Sequence, residues 1–309
     1  MDFIQRDKEE NGAYVQLLIL AGYALAGAII SSIIGLVILI GLYGMDVITD
    51  PQKLVGGNPE YLDGLKILQI ITSIGLFLLP PIFLALTERR KVRFFYGFGK
   101  PIGMVMIFVL LIMFFSLPMM EYVALLNQKM TLPGFLKDME SWMRQKEDEA
   151  ARTTVMLLTV RKPYDFVVNL FMIAILPAIA EELMFRGGIQ RSFMRMFRNP
   201  HVAIWITAII FSAIHVQFFG FFPRLLLGAL FGYIYHWTRN LWYTMFAHFL
   251  NNGYAVCVAF YMQKHHMPLD AADNTSNFHW YGYLLSFIFT ALLIYYFKKR
   301  YSTHGKQLD

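Results

Sequence analysis

The segment VQLLILAGYALAGAIISSIIGLVILIGL, residues 15–42, contains no charged side chain. As a helix it rises about 1.5 Å per residue and extends over roughly 40 Å, more than the roughly 30 Å hydrocarbon core of a bilayer. Lipid offers the backbone no hydrogen-bond partners, so the stretch is expected to form a membrane-spanning helix. It is too long for the apolar core of a signal peptide. The sequence therefore predicts a membrane protein.

The composition of the whole chain supports this prediction. Of the 309 residues, 57% are hydrophobic and 16% are charged, and the mean hydropathy is +0.49. A soluble domain carries about 25% charged residues, so an ordinary cytosolic enzyme and a disordered tail are excluded. Cys257 is the only cysteine, which excludes an internal disulfide and a cysteine-based metal cluster. The net charge of +6 follows membrane topology, and nucleic acid is not expected as a partner.

Further apolar stretches predict an all-α fold, a polytopic transmembrane helix bundle of about eight spans. Polar residues interrupt the fourth, fifth and sixth of them, and no internal repeat or soluble domain is visible. The expected spans are residues 15–42, 67–86, 103–126, 166–186, 202–218, 222–237, 241–261 and 280–297.

Basic residues gather in the connections on one side of this bundle. The link after the second span contains the run Arg89-Arg90-Lys91, whereas the link between the first two spans is acidic. Lys and Arg concentrate in cytoplasmic connections. Alternation of eight spans then places both termini in the cytoplasm and the long link of residues 129–163 outside.

Several polar residues fall inside the predicted spans. A charged group at mid-span costs about 2.5–3.5 kcal/mol unless it meets a partner or water. A shared, water-filled cavity would reduce this cost, which is the physical reason to expect a functional site. The residues are Glu181, Glu182, Arg186, His215, His248, Asn251 and Asn252.

The spacing within the fourth span predicts how its two glutamates differ. Glu182 and Arg186 are four residues apart and share one helical face, so they can form a pair. Glu181 is turned by about 100° from Glu182 and points elsewhere. Pro177 lacks an N–H, so it frees the carbonyl of Ile173 and is expected to kink the helix beside the site.

The same four-residue spacing occurs on two later helices, as Phe211 with His215 and as His248 with Asn252. A lone Glu–Arg pair inside a membrane is more often structural than catalytic. The joint occurrence of these groups on three helices favours a site. The polar residues of the three helices can lie at the same depth in the membrane only if the fourth helix continues beyond Arg186.

At these positions the sequence resembles the CPBP, or Abi, family of intramembrane proteases, which includes CAAX prenyl endopeptidases and bacteriocin-processing enzymes. The family motifs are Glu-Glu-x-x-x-Arg, Phe-x-x-x-His and His-x-x-x-Asn or Asp, and all three occur here in order within residues 165–260. The Phe185-Arg186-Gly187 continuation is most similar to prokaryotic members. We therefore expect an integral protein of a prokaryotic cytoplasmic membrane.

The resemblance also divides the chain into three regions. Residues 164–262 would form the CPBP-like catalytic helices. Residues 1–163 would form an N-terminal region of three spans with a long outer loop. Residues 263–309 would supply an outer loop, the final span and a basic cytoplasmic tail.

The resemblance implies hydrolysis of a peptide bond inside the membrane by a glutamate-activated water. The substrate would be a membrane-associated peptide or protein, with lipidated, CAAX-like chains among the family's substrates. No cofactor is favoured. The implied catalytic residues are Glu181, assisted by His215, for the water and His248 with Asn252 for the oxyanion; Glu182, Arg186 and Phe211 would support them.

Three alternatives stay open at this point. A zinc-dependent version of the protease would use Glu181, His215 and His248 as ligands, since one Glu and two His form a known catalytic zinc set. The sequence lacks the His-Glu-x-x-His motif of many zinc proteases. The non-enzyme alternatives are a transporter, which should show repeated halves, and a non-catalytic membrane partner protein.

Overall fold

The computed structural model describes residues 10–50, 59–269 and 278–302. Within these ranges every regular element is a helix, and no β-strand is present. The longer helices are α1 (Ala13–Tyr43), α2 (Leu62–Thr87), α3 (Gly103–Gln128), α4 (Lys137–Leu158), α5 (Asp165–Phe197), α6 (Pro200–Ala213), α7 (Phe221–Thr238), α8 (Leu241–Lys264) and α9 (Trp280–Tyr301).

The described part of the chain contains six helices that are long and apolar enough to cross a membrane: α1, α2, α3, α5, α7 with the turn before it, and α9. The predicted class, a polytopic helical bundle in a membrane, is confirmed. Helices also occupy the two remaining predicted positions. Helix α6 has only 14 residues, and α8 has 24 residues but carries polar groups. The exact number of spans and the cytoplasmic placement of the termini stay predictions.

Helix α4 shows that the long link before the fourth span is not a free loop. It is rich in charged residues, and none of its side chains is fully buried. Trp142 packs on Phe218 with ring centroids 5.6 Å apart, and the Arg144 guanidinium lies 4.2 Å from the Phe219 ring centroid. Helix α4 is thereby held against the turn between α6 and α7.

Helix α5 runs without a break through 33 residues, so the predicted continuation beyond Arg186 is confirmed. Its hydrogen bonding is irregular, with π-helical segments at Leu170–Ile175 and Leu183–Gln190. The first segment lies directly before Pro177, where the proline removes a donor from the helix. Such π-helical turns are frequent at functional sites.

The basic end of α5 is tied to the beginning of α1. The Arg191 Nη2 atom donates to the Glu10 carboxylate at 2.9 Å, and the Arg195 Nη1 atom donates to Gln16 Oε1 at 2.6 Å. Arg191 and Glu10 are almost completely buried. These contacts fix the far end of the helix that carries the glutamates.

Candidate active site

The three motifs converge at one place in the bundle. Helix α5 supplies the glutamates and the arginine, α6 and the residues after it supply Phe211 and His215, and α8 supplies the last motif. The four residues expected to act on a substrate line one cavity of about 370 Å³. They are Glu181, His215, His248 and Asn252.

The predicted pair of Glu182 and Arg186 is present and completely buried. The Arg186 Nη1 atom donates to Glu182 Oε1 at 2.8 Å, and its Nη2 atom donates to the carbonyl of Gly228 at 2.9 Å. The guanidinium carbon lies 4.8 Å from the Phe211 ring centroid and 5.4 Å from that of Phe231. Aromatic faces attract a desolvated cation. Phe211 therefore packs on this arginine.

His248 connects the two glutamates. Its Nδ1 atom lies 2.9 Å from Glu182 Oε1, and its Nε2 atom lies 4.0 Å from Glu181 Oε2. The Glu182 oxygen already accepts a hydrogen bond from Arg186, so we assign the imidazole proton to Nδ1. The ring stacks on Phe231, with centroids 5.5 Å apart. The Nε2 atom is thereby held at the cavity, facing Glu181.

Glu181 points into the cavity, away from Arg186, as its position on the helix predicts. Its side chain is 15% exposed, whereas that of Glu182 is 0% exposed. The two neighbouring carboxylates therefore have different surroundings. Glu182 is enclosed by Arg186 and His248, and Glu181 remains accessible to a small molecule in the cavity.

His215 lies beyond the end of its helix. The prediction that the fifth span reaches residue 218 is wrong, because α6 ends at Ala213 and the chain turns back through Val216 with a φ of 53°. The His215 Nδ1 atom lies 2.8 Å from the carbonyl oxygen of Phe211. A carbonyl only accepts, so Nδ1 carries the proton. The neutral ring then offers Nε2 as an acceptor.

The Asn252 side chain donates a hydrogen bond to the backbone carbonyl four residues before Pro177. Its Nδ2 atom donates to the carbonyl of Ile173 at 3.0 Å, and its Oδ1 atom accepts a hydrogen bond from Asn251 at 3.1 Å. Pro177 cannot satisfy the Ile173 carbonyl because it has no N–H. Asn252 thus supplies a side-chain donor to this carbonyl, and one N–H of its amide remains for the cavity.

This contact predicts a dependence between Asn252 and Pro177. The Asn252→Ala variant should lower the free energy of unfolding by about 1 kcal/mol, since it removes a side-chain donor from the part-buried carbonyl of Ile173. In a Pro177→Ala background the new N–H can bond that carbonyl, so the loss should be much smaller. Thermal unfolding in detergent of the wild type, both single variants and the double variant measures this coupling. Equal losses in both backgrounds would contradict it.

The cavity also contains polar residues that the motifs did not indicate. Most are single polar residues in otherwise apolar or solvated stretches, and the sequence carries no signal for them. Arg224 is different, because it is a charged residue within the predicted sixth span. The energetic cost of a charge inside the membrane, which indicated the glutamates, applies to it as well. The additional residues are Gln69 from α2, Thr154 from α4 and Arg224 from α7.

The residues of the alternative zinc set are not grouped as metal ligands in the described part of the structure. In the described ranges no group of three or more His, Cys, Asp or Glu side chains could hold a metal ion. Glu181, His215 and His248 line one cavity, but they do not form such a group. Independence from metal nevertheless stays a prediction that activity measurements must test.

Comparison with known proteins points to the same segment. Residues 163–254 match the model of the family described as type II CAAX prenyl endopeptidase Rce1-like. A Bacillus subtilis protein described as uncharacterized protein YpbD is 30% identical over 93 residues, which cover 29% of this chain and 44% of that protein. The chain thus matches less than half the length of this curated relative. No solved structure matches the chain at a significant level.

The matched segment contains every motif residue described above, which confirms the resemblance drawn from the three motifs. At the level of the family, it supports a hydrolase of the CAAX protease type embedded in a membrane. A bacterial cytoplasmic membrane is consistent with the Bacillus relative. Residues 163–254 of this integral membrane protein are therefore similar to the Rce1-like family of type II CAAX prenyl endopeptidases.

Proposed function

We propose that the protein is an intramembrane endopeptidase that hydrolyses a peptide bond of a membrane-associated chain with a water activated by Glu181. The single observation that carries this proposal is the cavity lined jointly by Glu181, His215, His248 and Asn252. The family match over the same segment supports it.

The first step activates and directs the water. The Glu181 carboxylate and the neutral His215 Nε2 atom can each accept a hydrogen bond from one water molecule in the cavity. The water oxygen then bonds to the carbonyl carbon of the substrate, and Glu181 takes the proton. The electron pair of the carbonyl double bond moves to its oxygen and produces a tetrahedral oxyanion.

The second step stabilises this oxyanion and completes the cleavage. The remaining N–H of Asn252 can donate to the oxyanion, as can Nε2–H of His248 in its doubly protonated form. A donor of this kind contributes about 2.7–4 kcal/mol in a dry site. When the C–N bond breaks, Glu181 returns its proton to the leaving amine. The Glu182–Arg186 pair orients His248 through Nδ1, in the way that the acid of a catalytic triad orients its histidine.

The surroundings of the site support a substrate that reaches it from the membrane. Met172, Leu227 and Phe231 give the cavity apolar walls beside its few polar groups. This combination is typical of ligand sites in which polar groups fix the orientation. We propose lipidated or membrane-embedded polypeptides as the substrate class.

Cleavage assays with purified protein test the reaction and its metal requirement together. The probes are synthetic farnesylated peptides and their non-lipidated counterparts, incubated with the protein in detergent, and the products are identified by mass spectrometry. We expect cleavage that persists in the presence of a strong zinc chelator. Activity that the chelator removes and added zinc restores would replace this mechanism with a zinc-dependent one. Cooperative unfolding shows that the purified protein is folded. If such protein cleaves neither kind of peptide, the proposed function is contradicted.

A further inference from the structure

A second cavity, of about 660 Å³, opens at the surface of the bundle. It lies at one end of the membrane-crossing helices, between the link that joins α2 to α3 and the first turn of α8. Its lining shares no residue with the cavity that contains the candidate active site. Arg93, Lys100, Phe98 and Trp242 are among the residues that line it.

Contacts between the link and the start of α8 hold this second cavity in shape. The Asn240 side-chain oxygen accepts a hydrogen bond from the Trp242 N–H at 3.1 Å, and its Nδ2 atom donates to the carbonyl of Gly99 at 3.1 Å. An added Cβ on Gly99 would lie 3.3 Å from that nitrogen, so the glycine permits the close approach of the two segments. Phe98 packs on Trp242 edge to face, with ring centroids 5.4 Å apart. The cavity is therefore a fixed feature of the folded chain.

The second cavity is positively charged. Arg93 and Lys100 line it, and none of the described residues in its lining is acidic. The link of residues 88–102 contains five basic residues and one acidic residue, Glu88. That carboxylate is buried and accepts hydrogen bonds from the backbone and side-chain N–H groups of Asn11. Charge complementarity therefore indicates an anionic ligand.

The surroundings of the second cavity are typical of a membrane surface. Tryptophan is enriched at the boundary between lipid and water, and Trp242 is 42% exposed beside the cavity. Helix α3 begins two residues after Pro101, which also lines the cavity. From there, exposed apolar side chains follow one another along α3 at spacings of three and four residues, which places them on one face. They are Met104, Ile107, Leu111 and Phe114.

We propose that the second cavity binds the headgroup of an anionic glycerophospholipid, with the phosphate at Arg93 and Lys100 and the acyl chains along the exposed face of α3. A guanidinium can donate two parallel hydrogen bonds to a phosphate, and an ammonium adds a compact charge. Basic pockets between transmembrane helices bind anionic headgroups in this way. The proposal does not depend on the proposed protease function, because the two cavities are separate.

Thermal unfolding of the purified protein in neutral detergent tests this proposal. The probes are short-chain phosphatidylglycerol, which is anionic, and phosphatidylcholine with the same acyl chains. Phosphatidylglycerol at about ten times its Kd should raise the Tm of the wild type by about 2–4 °C, and phosphatidylcholine should raise it much less. The Arg93→Gln/Lys100→Gln variant should lose this difference. Its Tm without added lipid should equal that of the wild type, because both side chains are exposed.

A matched control removes the same amount of charge from the same link. Arg89 and Lys91 are exposed and do not line the second cavity. The Arg89→Gln/Lys91→Gln variant should therefore keep the full response to phosphatidylglycerol. Loss of the response in this control would show that the net charge of the link attracts the lipid, and would overturn the assignment to the cavity.

Two further results would overturn the proposal. One is an equal Tm shift with both lipids, and the other is a phosphatidylglycerol shift that persists in Arg93→Gln/Lys100→Gln. Glycerol 3-phosphate, which carries the phosphate without acyl chains, distinguishes a lipid from a free phosphate ester. It should leave the Tm unchanged at the same concentration, and a shift equal to that of phosphatidylglycerol would replace the lipid with a soluble phosphate as the ligand.

Discussion

Replacing Glu181 by glutamine should abolish peptide cleavage while the protein stays folded. The carboxamide has nearly the same shape as the carboxylate, but it cannot take the proton of the attacking water. Removal of a general base lowers the rate by about 10²- to 10⁴-fold. The side chain faces the cavity and is not part of the buried pair with Arg186. We therefore expect a large fall in the single-turnover cleavage rate with little change in Tm.

A matched control distinguishes this effect from a general loss of charge in the bundle. Glu121 also lies on a long apolar helix, α3, where it accepts a hydrogen bond from the Tyr283 hydroxyl at 3.4 Å and does not line the cavity. Glu121→Gln should cleave at the wild-type rate. A Glu181→Gln protein that cleaves within a few-fold of the wild type would contradict the role of Glu181 as base.

Much of the fold could be predicted because the bilayer imposes a simple rule on the sequence. Long apolar stretches must be helices in lipid, and helices occur at all of the predicted positions. The rule does not determine where within an apolar stretch the helix ends. Helix α6 ends at Ala213, earlier than its apolar stretch suggests, and the chain then turns back towards α7.

The site could be predicted in part, because buried polar groups in a membrane must find partners. Helical spacing identified the pair of Glu182 with Arg186, which the structure contains, and the missing N–H of Pro177 drew attention to the carbonyl of Ile173. Neither pattern identified Asn252 as the partner of that carbonyl, since helical spacing does not reveal which distant residues meet. Gln69 lies on a different helix and enters the cavity only through tertiary packing.

The Arg186→Met variant should lose about 3–5 kcal/mol in the free energy of unfolding, the usual cost of removing one partner of a buried ion pair. Both side chains of the pair are 0% exposed, so water cannot replace the arginine. Glu182 Oε2 already has no hydrogen-bond partner in the described structure, and the Gly228 carbonyl would lose the hydrogen bond from Arg186. Chemical unfolding in detergent, followed by circular dichroism, measures this loss.

A second substitution shows whether the loss arises from an uncompensated charge. Adding Glu182→Gln to Arg186→Met removes the buried carboxylate, so the double variant should be more stable than Arg186→Met alone. Strictly additive losses would contradict the charge argument. The double variant should nevertheless remain inactive, because His248 loses the carboxylate that fixes its Nδ1 proton. Recovery of stability without recovery of cleavage would separate the role of the pair in folding from its role in positioning His248.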